Sequence, residues 1–97
     1  VSVKPANDGK HKYIATFVDA EGKEKRTKFG AVGYMDYIQY YKQDKLKAQV
    51  RKQAYLGRHR NREDWNDRTS AGALSRWILW NLPTLEASIA DFRRRFP

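Results

Sequence analysis

Apolar and polar positions in this chain first alternate and then change to helical spacing. The stretch Lys12-Tyr13-Ile14-Ala15-Thr16-Phe17-Val18 is rich in β-branched and aromatic residues and predicts a strand. Asp19-Ala20-Glu21-Gly22-Lys23 predicts a turn, with Gly22 free to take positive φ. Glu24 to Phe29 fits a second, edge-like strand whose lysines discourage stray pairing. Together they predict a β-hairpin, which must pack on the rest of the chain because two strands are not stable alone. Residues 1–11, with Pro5, Asn7, Asp8 and Gly9, read as an N-terminal arm. Gly30-Ala31-Val32-Gly33 reads as a strand-to-helix turn, since no Lys-Ser/Thr follows to make a phosphate loop.

Helical signals occupy the remainder. Asp36 is placed to cap a short helix beginning at Tyr37, and Asp44 to cap a second, Lys45 to Leu56, closed by Gly57. In the second, Leu46, Val50 and Ala54 share one narrow stripe. Ser70 caps a helix to about Trp80 whose Trp77-Ile78-Leu79-Trp80 run is apolar nearly all round, which predicts the central, most buried helix. Leu82-Pro83 breaks it. Thr84 caps the last helix, with Leu85, Ile89, Phe92 and Phe96 on one face and Arg93, Arg94 and Arg95 in the final turn.

The pattern therefore predicts an α+β fold: an N-terminal β-hairpin packed on a bundle of three to four short helices, with residues 12–97 as one small domain. The expected core is Phe17, Leu74, Trp77, Ile78, Trp80, Leu85, Ile89 and Phe92.

Charge changes the picture from packing to partners. Twenty Lys and Arg against eleven Asp and Glu give +9. The surplus is spread along the chain, so a field of this sign over the whole domain favours an anionic partner: nucleic acid, an acidic protein surface or anionic lipid. Its densest zone holds Lys42, Lys45, Lys47, Arg51, Lys52, Arg58, Arg60 and Arg62 with Asp44 as the single acid. These eight are the candidate anion-binding residues. Tyr37, Tyr40, Tyr41, Arg93, Arg94 and Arg95 are the candidate protein-docking residues, because tyrosine and arginine are enriched at interfaces.

Reactive chemistry is sparse. With no cysteine there is no disulfide, thiolate metal site or thiol nucleophile. No apolar run approaches the roughly 20 residues of a membrane span. His59, Glu63, Asp64 and Asp67 could suggest a metal-dependent nuclease, but their spacing matches no mechanistic signature. The carboxylates Glu63, Asp64 and Asp67 are read instead as partners of Arg58, Arg60, Arg62 and Arg68, with Asp64 or Asp67 as the alternative maker of a side-chain-to-backbone turn. The expectation is no catalytic residue, no metal, no cofactor and no small-molecule substrate.

Five segments carry a resemblance. Lys28-Phe29-Gly30-Ala31-Val32-Gly33-Tyr34 and Trp65-Asn66-Asp67 are followed by Thr69 to Asn81, Pro83-Thr84-Leu85 and Ser88-Ile89-Ala90-Asp91-Phe92. From Lys12 onward the chain resembles a family of short proteins of unknown function encoded by large double-stranded DNA viruses of algae and amoebae. The resemblance implies a viral, virion-associated setting and brings no catalytic residue with it. The leading expectation is a non-enzymatic minor capsid component docked on capsid or other virion proteins. The alternative is a sequence-nonspecific nucleic-acid-binding protein that uses the 42–62 zone for backbone contacts.

Overall fold

The computed structural model describes residues 1–97. Strand β2 (His11–Val18) lies at the centre of a three-stranded antiparallel sheet, between β1 (Ser2–Pro5) and β3 (Glu24–Ala31). The expected hairpin is β2–β3, paired from Val18↔Glu24 to His11↔Ala31. Strand β1 corrects the reading of residues 1–11 as an arm. It pairs with β2 from Ser2↔Thr16 to Pro5↔Tyr13. Four residues with one inward apolar side chain, Val3, are too short to signal a strand, and Pro5 is tolerated because this is an edge. The return loop is set by Asp8, whose carboxylate accepts from the backbone N–H groups of Lys10 (2.8 Å) and His11 (2.7 Å).

One face of the sheet, with Ala15 and Phe29 buried and Val3, Tyr13 and Phe17 at its margin, packs on the core. The helices are α1 (Tyr37–Gln43), α2 (Lys45–His59), α3 (Ala71–Leu74) and α4 (Leu85–Arg95). Helix α3 runs directly into a π-helical turn, Ser75–Leu79. The closest helix packing is between α1 and α2 and between the π turn and α4, so the helices are arranged as two pairs. Helix α3 and the π turn contact β3, whose Thr27 hydroxyl donates to the Thr69 carbonyl (2.7 Å).

The caps fall where the sequence places them. Asp36 and Gln39 form a reciprocal capping box on α1, while Asp44, Ser70 and Thr84 accept from the first turns of α2, α3 and α4. Gly57 does not close α2, which continues to His59. One glycine in a helix costs only about 1 kcal/mol, and Arg58 and His59 suit the negative end of the helix.

The tryptophan helix departs from expectation. Beyond Leu74 the ladder widens, and the Trp80 N–H donates to Ser75 O (3.0 Å), five residues back. A wider turn spreads consecutive residues over a narrower arc, so Ile78, Leu79 and Trp80 all face the interior. Trp77 is left half-buried at the edge, its indole N–H donating to the Trp65 carbonyl (2.9 Å). Of the expected core, Leu74, Ile78, Trp80 and Phe92 are buried, while Phe17, Trp77, Leu85 and Ile89 form its partly buried rim. Ala15, Phe29, Tyr37, Ala48, Tyr55, Leu56 and Leu79 complete the cluster.

Candidate interaction surface

The basic zone is displayed by the last turn of α1, by α2 and by the loop after it. Asp36 orients the preceding helix: besides capping α1, it accepts from Lys12 Nζ (2.8 Å), which also reaches Gln39 Oε1 (2.8 Å). This ties α1 to the sheet. Asp44 ends α1 and starts α2, so the two helices are joined with no free linker. Tyr37, buried at 3% exposure, accepts from Gln49 Nε2 (2.8 Å) and packs on Tyr41. Tyr37 therefore holds α1 on α2 and presents no surface for docking.

Seven of the eight predicted anion-binding residues are exposed: Lys42, Lys45, Lys47, Arg51, Arg58, Arg60 and Arg62. None of the seven forms an ion pair within the chain. Three rest near aromatic faces, Lys45 at 5.6 Å from Tyr41 and Lys47 and Arg51 at 5.8 and 5.6 Å from Tyr40. The eighth, Lys52, points inward. Its ammonium donates to the Asn81 carbonyl (2.7 Å) and lies 4.8 Å over the Tyr37 ring. Burial, aided by the nearby Arg76 charge, lowers its pKa. Lys52 fastens α2 to the loop before α4, where the Asn81 amide donates to Asp91 (2.7 Å).

The predicted stripe on α2 faces water. Leu46 is 80% exposed and Val50 69%, and Ala54 is exposed as well. The buried side of α2 is Ala48, Tyr55 and Leu56 instead. The aromatic ring of Tyr55 and the stem of Lys52 contribute to the packing surface on the side away from the stripe.

Arg93, Arg94 and Arg95 are largely engaged within the chain. Arg93 donates to the Val1 carbonyl (3.0 Å), and Arg94 and Arg95 pair with Asp91 at 3.7 and 3.3 Å. Arg95 also lies 3.8 Å over Trp77, which Arg76 approaches at 4.2 Å. Arg76 further faces Trp65 (5.4 Å) and donates to the Trp80 carbonyl (2.8 Å). Burial and the Arg95 charge lower its pKa. Sequence reasoning did not single out Arg76; its position beside Trp77 is the signal that could have found it.

The Glu63 to Asp67 carboxylates do not pair with the arginines; Asp64 and Asp67 make the expected side-chain-to-backbone turns. Glu63 lies 2.9 Å from His59 Nδ1. Asp64 accepts from the Asn66 N–H, and Asp67 from the backbone and hydroxyl of Thr69. No three His, Asp or Glu side chains converge as a metal site would require.

Between α2 and the end of β3 lies a cavity of about 520 Å³, lined in part by Tyr40, Arg51, Tyr55, Arg58, His59 and Glu63. Its wall is a ladder of rings, with Trp80 on Tyr55 at 4.4 Å and 5° and Tyr55 on His59 at 4.3 Å and 25°. Burial, then the Glu63 charge, pushes the Tyr55 phenol well above its ordinary 10.0. A raised folded-state value means stability is fully present below the unfolded value and is lost as pH rises through the folded one. The urea midpoint is therefore expected to fall above pH 10, and Tyr55→Phe to remove this Tyr55-dependent part of the decline. An identical alkaline profile in the variant would place Tyr55 in water.

Comparison with protein-family models, with curated proteins and with solved structures gives no match. No helix is long and apolar enough to cross a membrane.

Proposed function

We propose that this is a non-enzymatic docking protein, a minor capsid component of a large DNA virus held by neighbouring capsid or other virion proteins. The observation that carries the docking reading is the solvent face of α2 and its loop. Six exposed cations there, Lys45, Lys47, Arg51, Arg58, Arg60 and Arg62, form no ion pair within the chain, and Leu46 and Val50 are exposed on the same helix. Unpaired cations favour an acidic partner, and exposed aliphatic groups favour one that also offers apolar surface; a protein supplies both. The viral setting comes from the resemblance in the Lys28–Tyr34 and Thr69–Asn81 blocks.

Quantitative proteomics of purified particles tests the setting. The expected result is a constant copy number per particle that survives high-salt washing. Abundance in infected cells with absence from particles would end the capsid reading.

A second reading has its own support. The same six cations and Lys42 could neutralise phosphates of a nucleic-acid backbone, with Tyr40 and Tyr41 beside them. On that reading the affinity for duplex DNA of arbitrary sequence falls with salt, with a log–log slope near −0.9 per phosphate neutralised. Charge reversal at Lys47 and Arg51 flattens the slope by about 2. A salt-independent affinity would remove it.

A further inference from the structure

We propose that the exposed ridge Leu46–Val50–Ala54–Gly57 on α2 is the docking site for an acidic amphipathic helix of a partner protein. The inference rests on the docking reading above and names the surface and the partner's chemistry.

The spacing is the first argument. Leu46, Val50 and Ala54 are four apart and Gly57 is three further on, so they form one ridge along α2. Such a ridge fits the groove between side-chain rows of a second helix. The ridge also tapers. Leu46 and Val50 project, whereas Ala54 and Gly57 are small and admit a close crossing near the C-terminal half. A Cβ added at Gly57 meets nothing within 4 Å, so nothing in the chain occupies that space. The opposite side of α2 is already packed in the core, so the ridge belongs to a helix whose orientation is fixed. Docking there need not order the helix first.

Charge selects the occupant. Going around α2 from the ridge, one flank carries Lys47, Arg51 and Arg58, and the other Gln49 and Gln53 with Lys45 at its far edge. A helix seated on the ridge would meet cations along one side and amides along the other. Its matching positions call for glutamate or aspartate beside the apolar seam. A second copy of this chain would bring the same cations against these, at +9 each, so self-association by this face is disfavoured. Duplex nucleic acid answers the cations but leaves Leu46 and Val50 against phosphate. An anionic membrane answers both, but the ridge has only two large side chains and no aromatic, less than an interfacial helix uses.

The test is titration of the full-length protein with a synthetic three-heptad peptide that places leucine at the seam positions and glutamate beside them. Two control peptides carry lysine for the glutamates or serine for the leucines. The protein variant is Leu46→Gln with Val50→Gln. Both positions are exposed and glutamine is helix-compatible, so the fold is retained. The glutamate–leucine peptide is expected to bind wild type, and the double variant to bind it at least about tenfold more weakly. Neither control peptide is expected to bind comparably. An affinity unchanged in the double variant, or a serine peptide that binds as well, would overturn the ridge as the site. Duplex DNA and phosphatidylserine vesicles are measured alongside. Vesicle binding that weakens in the double variant while the peptide does not bind would assign the ridge to membrane. DNA binding without peptide binding would assign the surface to nucleic acid. Sedimentation showing self-association of wild type that the variant loses would assign it to a second copy. Particle proteomics reports on the viral setting independently of all these, so the two readings fail separately.

Discussion

Replacing Phe92 with alanine is expected to abolish the cooperative unfolding transition or lower its midpoint by on the order of 20 °C or more. Phe92 is 1% exposed and packs α4 toward the sheet. Its ring lies 6.4 Å from that of Phe17 on β2 and 5.0 Å from that of Phe96. A buried Phe→Ala change costs about 3–5 kcal/mol, partly for lost burial and partly for the cavity left behind. Domains of this size have about 5–15 kcal/mol in total. Only 15 of 97 residues are buried here, which places the domain toward the low end. Circular dichroism melts of the wild type, Phe92→Ala and Phe92→Leu check this, with the leucine variant expected to keep a cooperative transition. A wild-type melt for Phe92→Ala would detach α4 from the core.

The second large effect is expected at Gly30. Gly30 lies in β3 with φ +78°, in the left-handed region that a Cβ disfavours by roughly 1–2 kcal/mol. A Cβ there would also stand 2.8 Å from Leu79 Cδ1 and 3.2 Å from Lys12 Cβ. Leu79 is 2% exposed in the π turn and has little room to retreat. Overpacking of this kind adds about 1–3 kcal/mol, so Gly30→Ala is expected to cost about 2–5 kcal/mol in all. Gly22 makes the comparison decisive. Its φ is +82°, but a Cβ would meet nothing within 4 Å, so Gly22→Ala carries only the conformational part. Urea denaturation of both variants checks the difference, and equal losses would show that the contact between β3 and the π turn contributes nothing.

These two positions also show where the chain is legible from its sequence. Phe92 is found by spacing, because a one-faced apolar stripe behind a Thr cap has one sensible orientation. Gly30 reads as a turn residue in the sequence but lies within β3, and the side chain it must admit comes from 49 positions later in the chain. The same division holds for the candidate surface. The cationic zone is read directly, since charge density along α2 survives folding unless acids come to meet it. Lys52 and Tyr37 were misplaced because the hydrogen bonds that hold them inward, to Asn81 O and from Gln49, depend on the packing of α1 and of the loop before α4.

What the sequence by itself determined is local: the β2–β3 hairpin, four helix caps, the α4 stripe, the α+β class and the unbalanced positive charge. Each is signalled by a turn, a cap or a spacing pattern local in the chain, or by a sum over the chain that needs no geometry. The tertiary structure alone decided the rest. It recruited residues 2–5 as a third strand, because an edge already present in β2 supplies the pairing that Ser2–Pro5 cannot create. It widened Ser75–Leu79 into a π turn, which brings Ile78, Leu79 and Trp80 to the interior and leaves Trp77 to Arg76 and Arg95. It also turned the aliphatic stripe of α2 outward. Ala48, Tyr55 and Leu56 face the core, with Tyr55 stacked on Trp80, and a ring-to-ring contact of that area holds the helix with Leu46 and Val50 outward.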